Sequence, residues 1–226
     1  MPKPKASFVI PAFNAEAFLA ETLESCLKQK ERNIEVIVVN DGSTDATQSV
    51  IDYYQGKDDR IKCKVKANGG RSAARNDGVL AASSNIILTQ DADDISYPDR
   101  VSETLAAFKK TKADIVYSSF HTIDAIGQIL DEPVLALPFD YEKVKKEWFT
   151  YIGHSTMAFK KSVFEKVRYQ SGDYDKHAID DWLFQVSAYH AGFKFSPIKN
   201  VLAAYRIVPK VRDEEKIKEL KSLCLK

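Results

Sequence analysis

Apolar and polar positions in the first half of the chain alternate between two periods. Ser7-Phe8-Val9-Ile10 is a short apolar, β-branched run that predicts a strand. Phe18, Leu19, Leu23, Cys26 and Leu27 follow at helical spacing, with Asn14 placed to cap that helix. Ile34 to Val39 is continuously apolar, the mark of a strand buried on both faces. Asp41-Gly42 predicts a turn, and Ser43 or Thr44 a cap for the next helix. Ile61 to Val65 predicts a third strand and Asn68-Gly69-Gly70 a turn. A helix from about Arg71 to Ala82 and a fourth strand from Asn85 to Thr89 complete the pattern. Repeated βα units imply a mostly parallel sheet with helices on both faces. Ligands of such sheets bind beyond the carboxyl ends of the strands. Three polar segments fall there: Pro11 to Asn14, Asn40 to Asp45 and Asp91 to Asp94.

The second half is less regular. Asp114 to Ser119 predicts a strand, and Phe120 to Leu130 a hairpin turning at Ile126-Gly127. Helices are expected over Tyr141 to Tyr151, Lys161 to Val167, Ile179 to Ala191 and Val211 to Lys226, and a strand over Ser155 to Phe159. No linker, repeat or low-complexity segment divides the 226 residues, which predicts one domain. Residues to about 118 form one half of it, 119–210 a second, and 211–226 a C-terminal helix.

Lys plus Arg number 33 against 32 Asp plus Glu, a balance that argues against a nucleic-acid binder. The three cysteines, Cys26, Cys63 and Cys224, are odd in number and far apart, so neither a disulfide framework nor a zinc site is expected. A reducing cytoplasm is the simplest setting. No apolar run approaches the roughly 20 residues of a membrane span, and the first residues lack the apolar region of a signal peptide. Peripheral membrane contact stays open.

Asp91, Asp93 and Asp94 put three carboxylates into four residues, directly after a predicted buried strand. Without a counterion they raise each other's pKa. A hard cation with oxygen ligands, magnesium or manganese, resolves that conflict and completes its shell with substrate phosphates. A solvated acidic loop is the bland alternative, but its place before the helix opened by Pro98-Asp99-Arg100 favours function. Asp99 and Arg100 read as a helix start and an ion pair.

With these motifs in order, the chain from about Ser7 to Arg206 resembles the family 2 glycosyltransferases of the GT-A fold. The segments are Val9-Ile10-Pro11-Ala12-Phe13-Asn14, Val39-Asn40-Asp41-Gly42-Ser43-Thr44-Asp45, Asn68 to Gly78, Gln90-Asp91-Ala92-Asp93-Asp94 and Ile179-Asp180-Asp181-Trp182. The resemblance implies a Rossmann-like, mostly parallel sheet with a smaller acceptor-side region. It also implies inverting, metal-dependent transfer of one sugar from a nucleotide-sugar donor, a UDP-sugar favoured, to a glycan or lipid-linked acceptor. Donor contacts are implied for Pro11, Ala12, Phe13, Asn14, Asp41, Gly70, Arg71, Arg75, Asp91 and Ala92. In this reading Asp41 accepts from the base N3–H, Asp45 caps a helix, and Arg75 organises the acidic cluster. Asp93 is the main ligand of Mn2+ or Mg2+, Asp91 is shared between ribose and metal, and Asp94 is secondary. Asp181 matches the general base. Asp180 stands where the family usually has Glu, and with Trp182 and His154 it is placed on the acceptor side. His177, Arg206, Lys210 and Arg212 are further candidates near the phosphates. A nucleotidyltransferase and a non-catalytic nucleotide-sugar-binding module are the alternative functions.

Overall fold

The computed structural model describes residues 3–147, 150, 152–208 and 214–224. The predicted alternation is present in the first half. Strands β1 (Ala6–Ala12), β2 (Ile34–Asn40), β3 (Ile61–Val65) and β4 (Ile86–Thr89) are separated by helices α1 (Leu19–Leu27), α2 (Thr47–Gln55) and α3 (Arg71–Ala81). These strands pair in parallel in the order β3-β2-β1-β4. β1 and β2 are buried along their whole length, as their unbroken apolar runs require.

After β4 come β5 (Ile95–Ser96), α4 (Arg100–Thr111), β6 (Ile115–Ile123), α5 (Tyr141–Glu147), β7 (Met157–Lys160) and α6 (Lys161–Lys166). The chain then forms the single turn α7 (Asp173–Lys176), α8 (Asp180–His190), β8 (Phe195–Arg206) and α9 (Glu214–Cys224). The same sheet continues through β4-β7-β6-β8-β5. β7 is antiparallel to both its neighbours, β6 and β8 are parallel, and β5 is antiparallel to β8.

Side chains alternate between two cores along the strands. Phe8, Ile10, Val36 and Val38 face Leu19, Leu23, Cys26, Ile51 and Val101 of α1, α2 and α4. Val9, Ile37, Val39 and Ile87 face Ala74, Val79, Phe164 and Phe184 of α3, α6 and α8. Helix α3 lies close to its strands because Gly78 has no side chain: a Cβ there would sit 2.4 Å from Val9 Cγ1. Cys26 is a small core residue, as its helical position suggested, and burial pushes its thiol up to about 12.

Several local expectations are corrected. Asn14 does not cap α1, whose cap position is Phe18; it adopts φ 49° and its Oδ1 accepts from the Thr44 amide at 2.9 Å. Neither Ser43 nor Thr44 caps α2. Asp45 accepts from the Thr47 amide at 3.0 Å, just before the helix, and from the Glu16 amide at 3.1 Å. The β1–α1 and β2–α2 loops are thereby pinned to each other. Only isolated bridges, Ile123 with Ile129 and Phe120 with Val134, form the expected hairpin, because β6 runs on through Ile123. His154–Thr156 is a 3-10 turn, and β7 starts only at Met157. Helix α5 is described over Tyr141–Glu147; Trp148, Phe149 and Tyr151 of the expected helix lie outside the described residues. Strand β8 was not expected at all.

Candidate active site

The carboxyl ends of β1, β2 and β4 carry the three polar segments to one rim of the sheet. At the first, Ala12 is buried and its carbonyl accepts from the Asp41 amide at 2.8 Å, while the following Phe13 is 51% exposed. Asp41 is 2% exposed. Its Oδ1 accepts from Lys66 Nζ at 2.7 Å and the Gly69 amide at 2.9 Å, and its Oδ2 from the Gly70 amide at 2.8 Å. Gly70, at φ 89°, precedes α3. A helix N-terminus attracts anions, and here the chain supplies its own. Asp175 Oδ2 lies 2.0 Å from the point a Gly70 Cβ would occupy, and Asp175 Oδ1 accepts from the Ser72 amide at 3.3 Å. Burial and the nearby Asp180 charge raise the Asp175 carboxyl above its usual range.

Beneath the rim lies a buried charge network. Arg75 pairs with Asp180 and, at 2.8 Å, with Asp91 Oδ1. Arg71 reaches Asp180 Oδ1 at 2.9 Å. Burial alone would push the Arg75 guanidinium down; Asp180 and Asp91 outweigh it and hold it up. The same balance acts in reverse on Asp91: burial pushes its carboxyl up, but His154 and Arg75 hold it well below the usual range. His154 Nδ1 lies 3.1 Å from Asp91 Oδ1, and its Nε2 lies 3.1 Å from the Tyr169 hydroxyl. Ser155 Oγ accepts from the Asp91 amide at 2.8 Å. Both named partners of the Asp91 side chain meet Oδ1, leaving Oδ2 as the oxygen for a ligand.

Asp94 differs from its neighbours. It is buried, its Oδ1 accepts from the Arg206 amide at 2.7 Å, and its Oδ2 has no hydrogen-bond partner. Burial, and then the Asp93 and Asp91 charges, push its carboxyl well above the usual range. Asp93 is half-buried beside it. Among the described residues no three metal-ligating side chains converge. The donor set therefore fits an open cation site of one or two carboxylates, not a closed cage. A cation held at Asp93 and Asp91 would relieve the crowded charge that bears on buried Asp94.

Several expected contacts are corrected by burial. Arg75, expected to contact the donor, is 2% exposed and meets Asp91 and Asp180 beneath the rim. His154 is 3% exposed under Asp91 and lines no acceptor surface. Asp180 is enclosed by two guanidinium groups. Trp182 packs against Val144, Leu183 and Val186. Arg206 is buried and its guanidinium is engaged within the chain: Nε donates to the Asp93 carbonyl at 2.8 Å, Nη1 to the Asp124 and Ala125 carbonyls, and Nη2 pairs with Glu21. It braces the acidic loop from behind. Arg100 makes no ion pair; it is buried and donates to Gln90, Ser96 and the carbonyls of Thr89 and Met157. Burial pushes it down to about 10. Asp99 does pair, with Lys30 at 2.7 Å. His177 is half-buried at the end of α7. Lys210 and Arg212 lie outside the described residues.

Asp181 stands apart from its neighbour. It opens α8, is half-buried, and its Oδ1 accepts only from the adjoining Trp182 amide at 2.8 Å. Tyr169, which stacks on Phe184 and bonds His154, was missed by sequence reasoning, as were Ser155, Lys66 and Glu21. Each is an ordinary residue in an unremarkable local pattern, and only the fold brings it to the site.

Comparison with known proteins agrees with this architecture. The family model described as "Glycosyl transferase family 2" matches residues 7–168. The chain belongs to that family. It is 31% identical over 216 residues to glycosyltransferase GlyA of Streptococcus pneumoniae, a match that covers 90% of this chain. The chain spans only 30% of the length of GlyA. Its fold is the GT-A fold of S. aureus TarS 1–349, solved in complex with UDP-GlcNAc, with TM-score 0.75, 19% identity, and coverage of 97% of this chain and 66% of that one. Mannosyltransferase PcManGT of Pyrobaculum calidifontis, solved with GDP-Man and Mn2+, superposes at TM-score 0.68 with 16% identity, covering 92% and 58%. Among the described residues no helix is long and apolar enough to cross a membrane.

Proposed function

We propose that the chain transfers one sugar, a hexose or N-acetylhexosamine, from a nucleoside-diphosphate sugar to a hydroxyl of a glycan or lipid-linked acceptor. The observation that carries this reading is the contrast between two adjacent carboxylates. Asp180 is locked between Arg71 and Arg75, whereas half-buried Asp181 accepts from the adjoining Trp182 amide and forms no ion pair among the described residues. A buried, charge-compensated residue holds the helix start, and its neighbour is left to accept a proton.

In this mechanism Phe13 walls the base and Asp41 accepts from it. Pro11, Ala12 and Asn14 shape that wall, and Ala92 lies between the two rim carboxylates. Asp91 Oδ2 accepts from the ribose. The acceptor oxygen attacks the anomeric carbon, its proton passes to Asp181, and the bond to the β-phosphate oxygen breaks with its electron pair. One displacement inverts the anomeric configuration. Asp93, with help from Asp91, is the residue to hold a divalent cation, manganese or magnesium, which when bound neutralises charge on the leaving diphosphate. TarS binds UDP-GlcNAc and PcManGT binds GDP-Man with Mn2+, so this fold takes either base and the choice rests on local residues.

The test is a panel of nucleotide sugars, with manganese, magnesium or chelator, scored for donor binding, hydrolysis and transfer. Asp181→Asn is expected to keep donor binding and to lose roughly 10²–10⁴-fold in turnover, the usual worth of a general base. Asp93→Ala is expected to abolish the metal-dependent part of donor binding. Wild-type turnover by Asp181→Asn would remove Asp181 from the base role.

A further inference from the structure

The start of α8 is held by two other helices, in two different ways. The family model ends at residue 168, so α7, α8 and α9 all lie beyond it. Ala178, at φ 55°, turns the chain from α7 into α8, a left-handed conformation that is unfavourable for a residue with a Cβ. The contact from α3 is ionic: Arg71 and Arg75 grip Asp180. The contact from α9 is apolar. Ile217 and Leu220, three residues apart and so on one helix face, pack against Ile179 together with Tyr174 of α7. Ile179, Ile217 and Leu220 are all buried. Lys221 Nζ lies 5.2 Å from the centre of the Trp182 ring, a cation–π contact that extends the same clamp. Residues 179, 180 and 182 are thus each built into a contact with another helix. Asp181 accepts at 2.8 Å from the Trp182 amide beside it, so its place is inherited from its neighbours.

We infer that Ile217 and Leu220 are positioning residues for the proposed base: by seating Ile179 they set where Asp181 meets the acceptor hydroxyl. This rests on the reading of Asp181 given above. The two guanidinium groups fix one point of the helix start, at Asp180. The apolar seat at Ile179 supplies a second point and stops the segment from pivoting about the first. The residues proposed to meet the donor lie on α3 and in the loops after β1, β2 and β4. Helix α9 therefore acts on the rate of the chemical step and not on donor binding.

The experiment is manganese-supported hydrolysis of UDP-GlcNAc by the full chain, water standing in for the acceptor hydroxyl, with calorimetric titration of UDP alongside. Leu220→Ala is expected to lower kcat about tenfold, within the cost of misplacing a catalytic group, and to leave KM for UDP-GlcNAc and the Kd of UDP unchanged. Leu220→Met, which keeps the volume, is expected to restore kcat. In an Asp181→Asn background, Leu220→Ala is expected to cost nothing further, because the two changes act through one group. Ile217→Val removes a single methyl and carries the same test if Leu220→Ala does not fold; a loss of about twofold in kcat is expected of it. A clamp that serves stability alone would lower the unfolding midpoint and leave kcat of the folded protein unchanged; that result overturns the inference. An equal loss of kcat from Leu220→Ala with and without Asp181 overturns it too. Equal hydrolysis by wild type and Asp181→Asn would instead overturn the base reading on which the inference stands.

Discussion

Buried charge in this protein is placed so that almost every carboxylate has a partner, and the exceptions face the proposed chemistry. Glu35, at the opposite end of β2 from the rim, shows the rule. It is buried, and accepts from Ser7, Lys62 and Ser83. Burial pushes its carboxyl up, but these bonds outweigh that and hold it below the ordinary glutamate range. A group with a depressed folded pKa stabilises above its unfolded value and loses that contribution as pH falls through the folded one. Thermal midpoints of wild type and Glu35→Gln are therefore expected to differ most at neutral pH, by roughly 1–3 kcal/mol in stability. The gap should narrow below about pH 4, near the ordinary carboxylate range. An unchanging gap down to acid would mean that Glu35 acts only through packing. At this scale sequence reading singled out Asp41, Asp91, Asp93 and Asp181, because each sits in a short motif. It could not find which charges cancel. Arg206 meets the Asp93 carbonyl and His154 meets Asp91 only because β8 and β7 return to the rim.

At the scale of elements, the regular first half was legible and the second was legible only in pieces. β1 and β2 declare themselves by unbroken apolar runs. β8 does not: it pairs with β6 through two register shifts, between Ser118 and Phe120, and Pro197, Lys199 and Asn200 interrupt its alternation. β7 is four residues long and antiparallel, a placement fixed by its neighbours β4 and β6. The close seat of α3 on the sheet depends on Gly78. Gly78→Ala is expected to cost about 1–3 kcal/mol, because the methyl would crowd Val9 and Val39 and the helix would have to lift. Denaturant unfolding measures this directly. A neutral or stabilising result would show that the two valines can rotate aside.

Across the whole molecule, one eight-stranded sheet carries both regions of the candidate site, and Arg71 and Arg75 of α3 join it to Asp180 at the start of α8. The parallel half carries the residues proposed to meet base and ribose, while the antiparallel insertion of β7 carries the His154–Thr156 turn under Asp91. Composition excluded a basic nucleic-acid binder, and the motifs pointed to the family, but the acceptor side stayed obscure. Its candidate residues, His154, Asp180 and Trp182, are spent on holding the two regions together. Motif position alone does not show this: a residue beside the proposed base can be needed for where it anchors the helix.

The Arg71–Asp180–Arg75–Asp91 cluster also bears on how such a chain can be recombined. Its cations come from α3 and its carboxylates from the loop after β4 and the start of α8. A graft that exchanges the segment from β6 onward brings a foreign residue against two fixed guanidinium groups. Only donors of that segment with an acid at the position of Asp180 leave the seam neutral. The junction between the two halves of the chain is thus keyed, and the key is a single buried charge.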